Sequence, residues 1–272
     1  MQRSRMISGL FVAVVVAIGC GGGKPQDAGA TTDAANSPKS TVQPTPTPAT
    51  GQTTARRGSS SVKGTVRLVG TPPAPVKIKM DADPVCQQQH PTPFYGEEVV
   101  VNDQGMLKNV FVYVKGGLTG TFPSPETPVT IDQAGCWYQP HVLGIQVNQP
   151  LEIVNSDPTD HNINAISPTT SRTLFNVSQP SAGVKKITKK FTKPEVMVRL
   201  KCNVHPWMGA YAGILEHPFY SVSGADGGFA ISGLPAGTYT LEAWHEKYGT
   251  QTQSVTVADG ESKSIEFTFK TQ

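Results

Sequence analysis

The chain has 272 residues, 37% hydrophobic and 16% charged, with 27 Gly and 23 Pro, which is too polar and too turn-rich for a multi-span membrane protein. Arg3 and Arg5 carry two of its three net positive charges, so the remainder has no general field to attract nucleic acid, anionic lipid or acidic substrate. Specificity must reside in a site.

The first twenty residues read as an export signal. Arg3 and Arg5 precede an apolar run from Met6 to Ile18, about 13 residues, too short at roughly 1.5 Å per residue to cross a ~30 Å bilayer core. The run closes on Val16-Ala17-Ile18-Gly19-Cys20, which resembles a bacterial lipobox. That resemblance implies a lipid on Cys20, against the competing reading of an ordinary secretory peptide. With Gly21 rather than Asp after the cysteine, it also implies an exported, lipid-anchored protein on the periplasmic side of the envelope, at the outer membrane. Residues 21–60 then read as a disordered tether: 29 of the 40 are Thr, Ser, Pro, Gly or Ala, and Val42 is the one large aliphatic, so nothing offsets the entropy of ordering. Thr45-Pro46-Thr47-Pro48 adds local stiffness.

Residues 61–272 carry short apolar runs of period two: Val62, Val66, Leu68; Val110, Val112, Val114; Leu151, Ile153; Val196, Val198, Leu200; Tyr239, Leu241, Ala243; Val255, Val257; Ile265, Phe267, Phe269. Gly-, Pro- and Asp-containing turns such as Asp103-Gln104-Gly105 and Asp226-Gly227-Gly228 separate them. The pattern predicts an all-β sandwich architecture.

There are four cysteines. With Cys20 taking a lipid, Cys86, Cys136 and Cys202 remain in a compartment that permits disulfides. Cys202 is flanked by His205 and Met208, which makes Cys86 and Cys136 the disulfide candidate; the alternative is that both are reduced and buried.

The segment Lys201-Cys202-Asn203-Val204-His205-Pro206-Trp207-Met208 and an upstream piece, Asn155 to Asn162, supply a thiolate, two imidazoles and a thioether. A one-electron copper site uses that set: Cys and two His in a near-trigonal plane with a weak axial Met. Cys202 is expected to end a strand over Glu195–Lys201, Pro206 to stop that strand from continuing, and His161 to come from a neighbouring strand.

This C-x2-H-P-x-M spacing, with His161-Asn162 before it, resembles the cupredoxins, and within them the amicyanin branch with its short ligand loop. The resemblance spans roughly residues 144–216. It implies a Greek-key sandwich holding one mononuclear type 1 copper, with His161, Cys202 and His205 equatorial and Met208 axial. It also implies that Asn162 braces the ligand loop, that Trp207 shields the metal, and that the exposed edge of His205 is the electron port. The aromatic residue that the family usually places two before the Cys ligand is replaced here by Leu200. Zinc is the competing metal. His141, His217 and His245 read either as hydrogen-bonded strand-end residues or as a second metal or proton site, and His90 as a loop residue.

From about Tyr220 the pattern changes. Gly224 to Ile231 and Leu234 to Leu241 resemble the carboxypeptidase regulatory-like, transthyretin-like β-sandwich, a non-catalytic module with a scaffold or docking role. Trp244 and Tyr248 leave carbohydrate binding as a lesser option. The expected divisions are thus 1–20 signal, 21–60 tether, 61–218 copper domain and 219–272 small sandwich, with residues 62–80 alternatively completing the last. The expected function is single-electron transfer between a donor and an acceptor redox protein in the envelope, without enzymatic activity. The alternative is a non-redox surface lipoprotein that binds copper or carbohydrate.

Overall fold

The structure, a computed structural model, describes residues 54–271; the basic start, Cys20 and most of the tether lie outside the described residues. The first strand, β1 (Ser60–Val69), buries Val62, Val66 and Leu68 on one face. Glycine is required at position 64, because a Cβ there would fall 1.9 Å from the Ile265 carbonyl oxygen. An irregular excursion follows, holding one short helix, α1 (Pro84–Gln89). Asp83 starts it: its Oδ1 accepts the backbone N–H groups of Val85 and Cys86, and Pro84 occupies the first turn, where a missing N–H costs nothing. The chain returns to strand as β2 (Phe111–Gly116).

Nine strands then run between residues 129 and 215: β3 (Val129–Gln133), β4 (Tyr138–Gln139), β5 (Val142–Gln146), β6 (Pro150–Asn155), β7 (His161–Ile166), β8 (Thr173–Gln179), β9 (Ile187–Lys190), β10 (Glu195–Lys201) and β11 (Gly209–Leu215). They form two sheets, ordered β5-β11-β10-β7-β8 and β4-β3-β6-β9, closed on Ile131, Leu151, Ile153, Ile163, Leu200 and Ile214. This is the inserted sandwich. The chain then adds β12 (Tyr220–Val222), β13 (Gly228–Leu234), β14 (Gly237–His245), β15 (Gly249–Val257) and β16 (Ser262–Lys270). These join β1 and β2 in an outer sandwich of sheets β13-β1-β16 and β12-β2-β14-β15, packed around Val62, Phe219, Phe229, Leu241, Phe267 and Phe269. Strand β12 pairs antiparallel with β2, Tyr220 opposite Tyr113, so the chain leaves and re-enters the outer sandwich on adjacent strands. Phe111, Tyr113, Val142, Met197 and Leu215 seal the seam between the two sandwiches.

The architecture is all-β, as the period-two pattern predicts. The division at residue 218 does not follow the sheets. Strand β1 lies between β13 and β16, antiparallel to the first and parallel to the second, and β2 pairs with β12 and β14. Both complete the outer sandwich, because β13 and β16 need a strand between them to satisfy their inward backbone edges. The tether also ends before residue 60: the Ala55 N–H donates to the Thr121 carbonyl at 2.8 Å, the Gly58 N–H to the Gly233 carbonyl at 2.9 Å, and Ser60 is already buried in β1.

Candidate metal centre

At one end of the inserted sandwich, β7 begins at His161 and β10 ends at Lys201. These strands are paired, Lys201 opposite Asn164, which brings His161 beside Cys202. Residues 202–208 form a tight loop: the Met208 N–H donates to the His205 carbonyl at 3.0 Å, and the Cys202 N–H to the Met208 carbonyl at 3.2 Å. The His205 N–H donates to Cys202 Sγ at 3.3 Å. Cys202, His161 and Met208 are buried, and Met208 lies in the same apolar cluster as Cys202 and Trp207. Asn162 Oδ1 accepts the Asn203 N–H at 2.7 Å and lies 3.4 Å from Cys202 Sγ, so it holds the loop to β7. The Trp207 ring lies against His205, centroids 5.0 Å apart, and its Nε1–H donates to the Cys136 carbonyl at 3.2 Å.

One ligand atom each from His161, Cys202 and His205 converges within 4.8 Å. His161 Nδ1 and His205 Nδ1 are 2.9 Å apart, and Cys202 Sγ is 4.0 Å from His205 Nδ1. The outer nitrogens are engaged elsewhere: His161 Nε2 with Asp157 Oδ2 and His205 Nε2 with Asp83 Oδ2, both at 2.9 Å. Both carboxyls are lowered from their ordinary value; burial works against this, and the imidazole and backbone N–H partners outweigh it. An ionised carboxylate only accepts, so each Nε2 carries the proton and each Nδ1 turns a lone pair inward. Two lone pairs at that separation need something positive between them. In the metal-free chain a proton serves: burial opposes charge on His161, but Asp157 and Cys202 overcome it and push the group up to about 9. Burial also raises the Cys202 thiol, and hydrogen bonds from His161 and the backbone reverse this, so it is lowered overall. A small divalent metal such as zinc sits about 2.0–2.1 Å from imidazole nitrogen and about 2.3 Å from thiolate sulfur, which asks for ligand atoms roughly 3–4 Å apart. The three residues fit such an ion.

The turn before β4 supports the first imidazole. Gly135 and Cys136 both have positive φ, and their successive N–H groups donate to Asp157 at 2.8 and 2.7 Å, forming a small anion nest. Cys136 is joined to Cys86 by a disulfide, Cα atoms 5.5 Å apart, and Cys202 is the free cysteine among the described residues. The disulfide carries α1 over the loop.

The electron port expected at His205 is closed. His205 is 2% exposed, because Asp83 occupies its outer nitrogen and Cys86 Sγ lies 3.8 Å from the same atom. Asp83 and Asp157 are the site residues that sequence reasoning missed. Asp157, four residues before His161, stands in Asn155-Ser156-Asp157-Pro158, whose residue types signal a turn and not a contact. At Asp83 the local sequence offers only an Asp-Pro pair, which suits a helix start and does not signal a contact with His205.

Among the described residues, no metal-ligand cluster includes His141, His217 or His245. His141 bridges the Gly209 carbonyl and Glu246 across the seam. His217 Nδ1 accepts the Phe219 N–H at 3.2 Å, His245 Nδ1 accepts the Lys247 N–H at 3.1 Å, and His90 faces the Gly135 carbonyl. The aromatics considered for sugar stacking pack internally, Trp244 on Tyr211 and Tyr248 on His245.

Residues 216–270 match the family described as Carboxypeptidase regulatory-like domain, a span that contains β12 to β16 and none of the candidate metal-ligating residues. None of the curated proteins matches the chain. Among solved structures, the chain is similar to a Cu-containing nitrite reductase from Thermus scotoductus SA-01, with 24% identity and a TM-score of 0.29 over 39% of this chain and 26% of that enzyme's length. It is similar to a reduced mutant of amicyanin, with 16% identity and a TM-score of 0.29 over 33% of this chain and 84% of that one. A purple cupredoxin from Nitrosopumilus maritimus gives 24% identity and a TM-score of 0.27 over 32% and 98%. The described residues are nearly all β, and the chain carries a carboxypeptidase regulatory-like region at residues 216–270 and has cupredoxins among its structural neighbours.

Proposed function

We propose that this chain is an envelope-anchored type 1 copper protein that passes single electrons between redox partners. The observation that supports the reading is the inward convergence of two imidazole nitrogens and a thiol sulfur within 4.8 Å, in a buried frame. A thiolate, two imidazoles and the Met208 thioether make a soft donor set that suits copper better than harder cations. His161, Cys202 and His205 would hold it, with Met208 as the weak fourth donor. Copper bound there supplies a one-electron change of oxidation state. The chain's own residues do the rest: Asp157 and Asp83 fix the imidazole tautomers, Asn162 fixes the loop, and the core excludes water. Residues 1–20 support a lipid anchor at Cys20, which would place the partners among envelope redox proteins.

Titrating the full chain with Cu(II) is expected to produce an intense absorption band in the red, bleached by ascorbate and lost in Cys202→Ser. No band in the unsubstituted protein, or a band that survives Cys202→Ser, overturns the reading. The covered edge of His205 favours one alternative, a lipoprotein that holds copper without redox turnover. A copper-loaded chain that keeps the band but exchanges electrons with neither ascorbate nor ferricyanide selects it.

A further inference from the structure

The residue that closes the edge of His205 comes from outside the β-sheets. Asp83 stands in the excursion between β1 and β2 and divides its carboxylate in two. Oδ1 starts α1 through the Val85 and Cys86 N–H groups, while Oδ2 accepts from His205 Nε2 at 2.9 Å and from Thr159 Oγ1 at 3.0 Å. Cys86 is the buried residue of α1, and its disulfide partner Cys136 gives its N–H to Asp157, the carboxylate that orients His161. One covalent bond therefore joins the two elements that set the direction of both imidazoles.

We propose that Asp83 is a positioning residue of the metal centre: held in place by α1 and the Cys86–Cys136 disulfide, it keeps His205 Nδ1 aimed at Cys202 and biases the site towards the more highly charged metal ion. This rests on the copper reading. His205 lies in a loop; its ring also meets Trp207, His161 and the sulfurs of Cys86 and Cys202, and among the described residues Asp83 is the one carboxylate on its outer nitrogen. A carboxylate on the outer nitrogen fixes tautomer and orientation and makes the inner nitrogen a stronger donor. Its negative charge favours Cu(II) over Cu(I).

The test uses the full chain. Asp83→Asn preserves a good helix start, so α1 persists while the charge is lost. Cu(II) affinity is expected to fall about 10–100-fold and Cu(I) affinity less, so the reduction potential rises by about 59 mV for each tenfold change in the ratio. Cys86→Ser with Cys136→Ser frees α1 and is expected to shift the potential in the same direction. All three substitutions together are expected to give less than the sum, because both act through one hydrogen bond. In the copper-free chain, the His205 Nε2–H proton NMR signal is expected to be in slow exchange and to disappear in Asp83→Asn. An unchanged Cu(II)/Cu(I) affinity ratio, or persistence of that NMR signal in Asp83→Asn, overturns the proposal. Failure of the unsubstituted chain to bind copper overturns the copper reading, and the imidazole signal separates that failure from failure of the Asp83 tether.

Discussion

Each sandwich buries an imidazole, and the two are driven in opposite directions. In the outer sandwich His245 lies against Tyr248 and Phe269. Burial, helped by the charge of Lys247, pushes it down to about 4, so it is neutral. In the inserted sandwich His161 is equally buried, yet Asp157 and Cys202 overcome burial and push it up to about 9. Burial alone therefore does not decide the charge of a histidine; the fixed partners do. The outer sandwich sets its neutral imidazole among aromatic rings, and the inserted one sets His161 in a network of carboxylate, imidazole and thiol.

The largest expected effect tests the outer sandwich. Phe267 is fully buried in the outer core, and Phe267→Ala is expected to cost about 3–5 kcal/mol in urea unfolding. A loss under about 1 kcal/mol would remove the claim that this core is tightly packed. Acid sharpens the contrast next. His245 and His217 are both pushed down from 6.5 to about 4, in each case chiefly by burial, so between those values the unfolded chain binds protons that the folded chain does not. Stability is expected to fall as pH drops through that window, by on the order of 3 kcal/mol for each residue, and His245→Gln should flatten the slope in thermal melts. A flat profile between those pH values in the unsubstituted chain would contradict the neutral assignment. His161 has the opposite sign: its raised value contributes stability to the copper-free chain below 6.5, lost as pH rises through about 9. The smallest effect follows from this. Cu(II) loading near neutral pH should expel the proton held between the imidazoles in addition to any still carried by the Cys202 thiol, read with a pH indicator; loading without proton release would refute the proton-bridged arrangement.

What sequence reveals here depends on distance along the chain. The loop from Cys202 to Met208 is contiguous, so its spacing, its stop at Pro206 and the strand ahead of it are all readable. The strand around Val112 is readable too, but period two states only that a strand exists and not which sheet receives it. That is why β2 was assigned to the wrong sandwich. Asp83 and His205 are 122 residues apart, joined across an excursion with almost no regular structure, and no local pattern announces the contact. The expectation of an open His205 edge failed for that reason.

The parallel pairing of β1 with β16, with Ser61 beside Ser262, bears on the order of assembly. Every strand of the inserted sandwich lies between residues 129 and 215, so its contacts can close while the last strand is still unplaced. The outer sandwich must bring together segments some two hundred residues apart, and such distant pairings form late. The imidazoles and the thiol therefore meet in the part of the chain free to fold early.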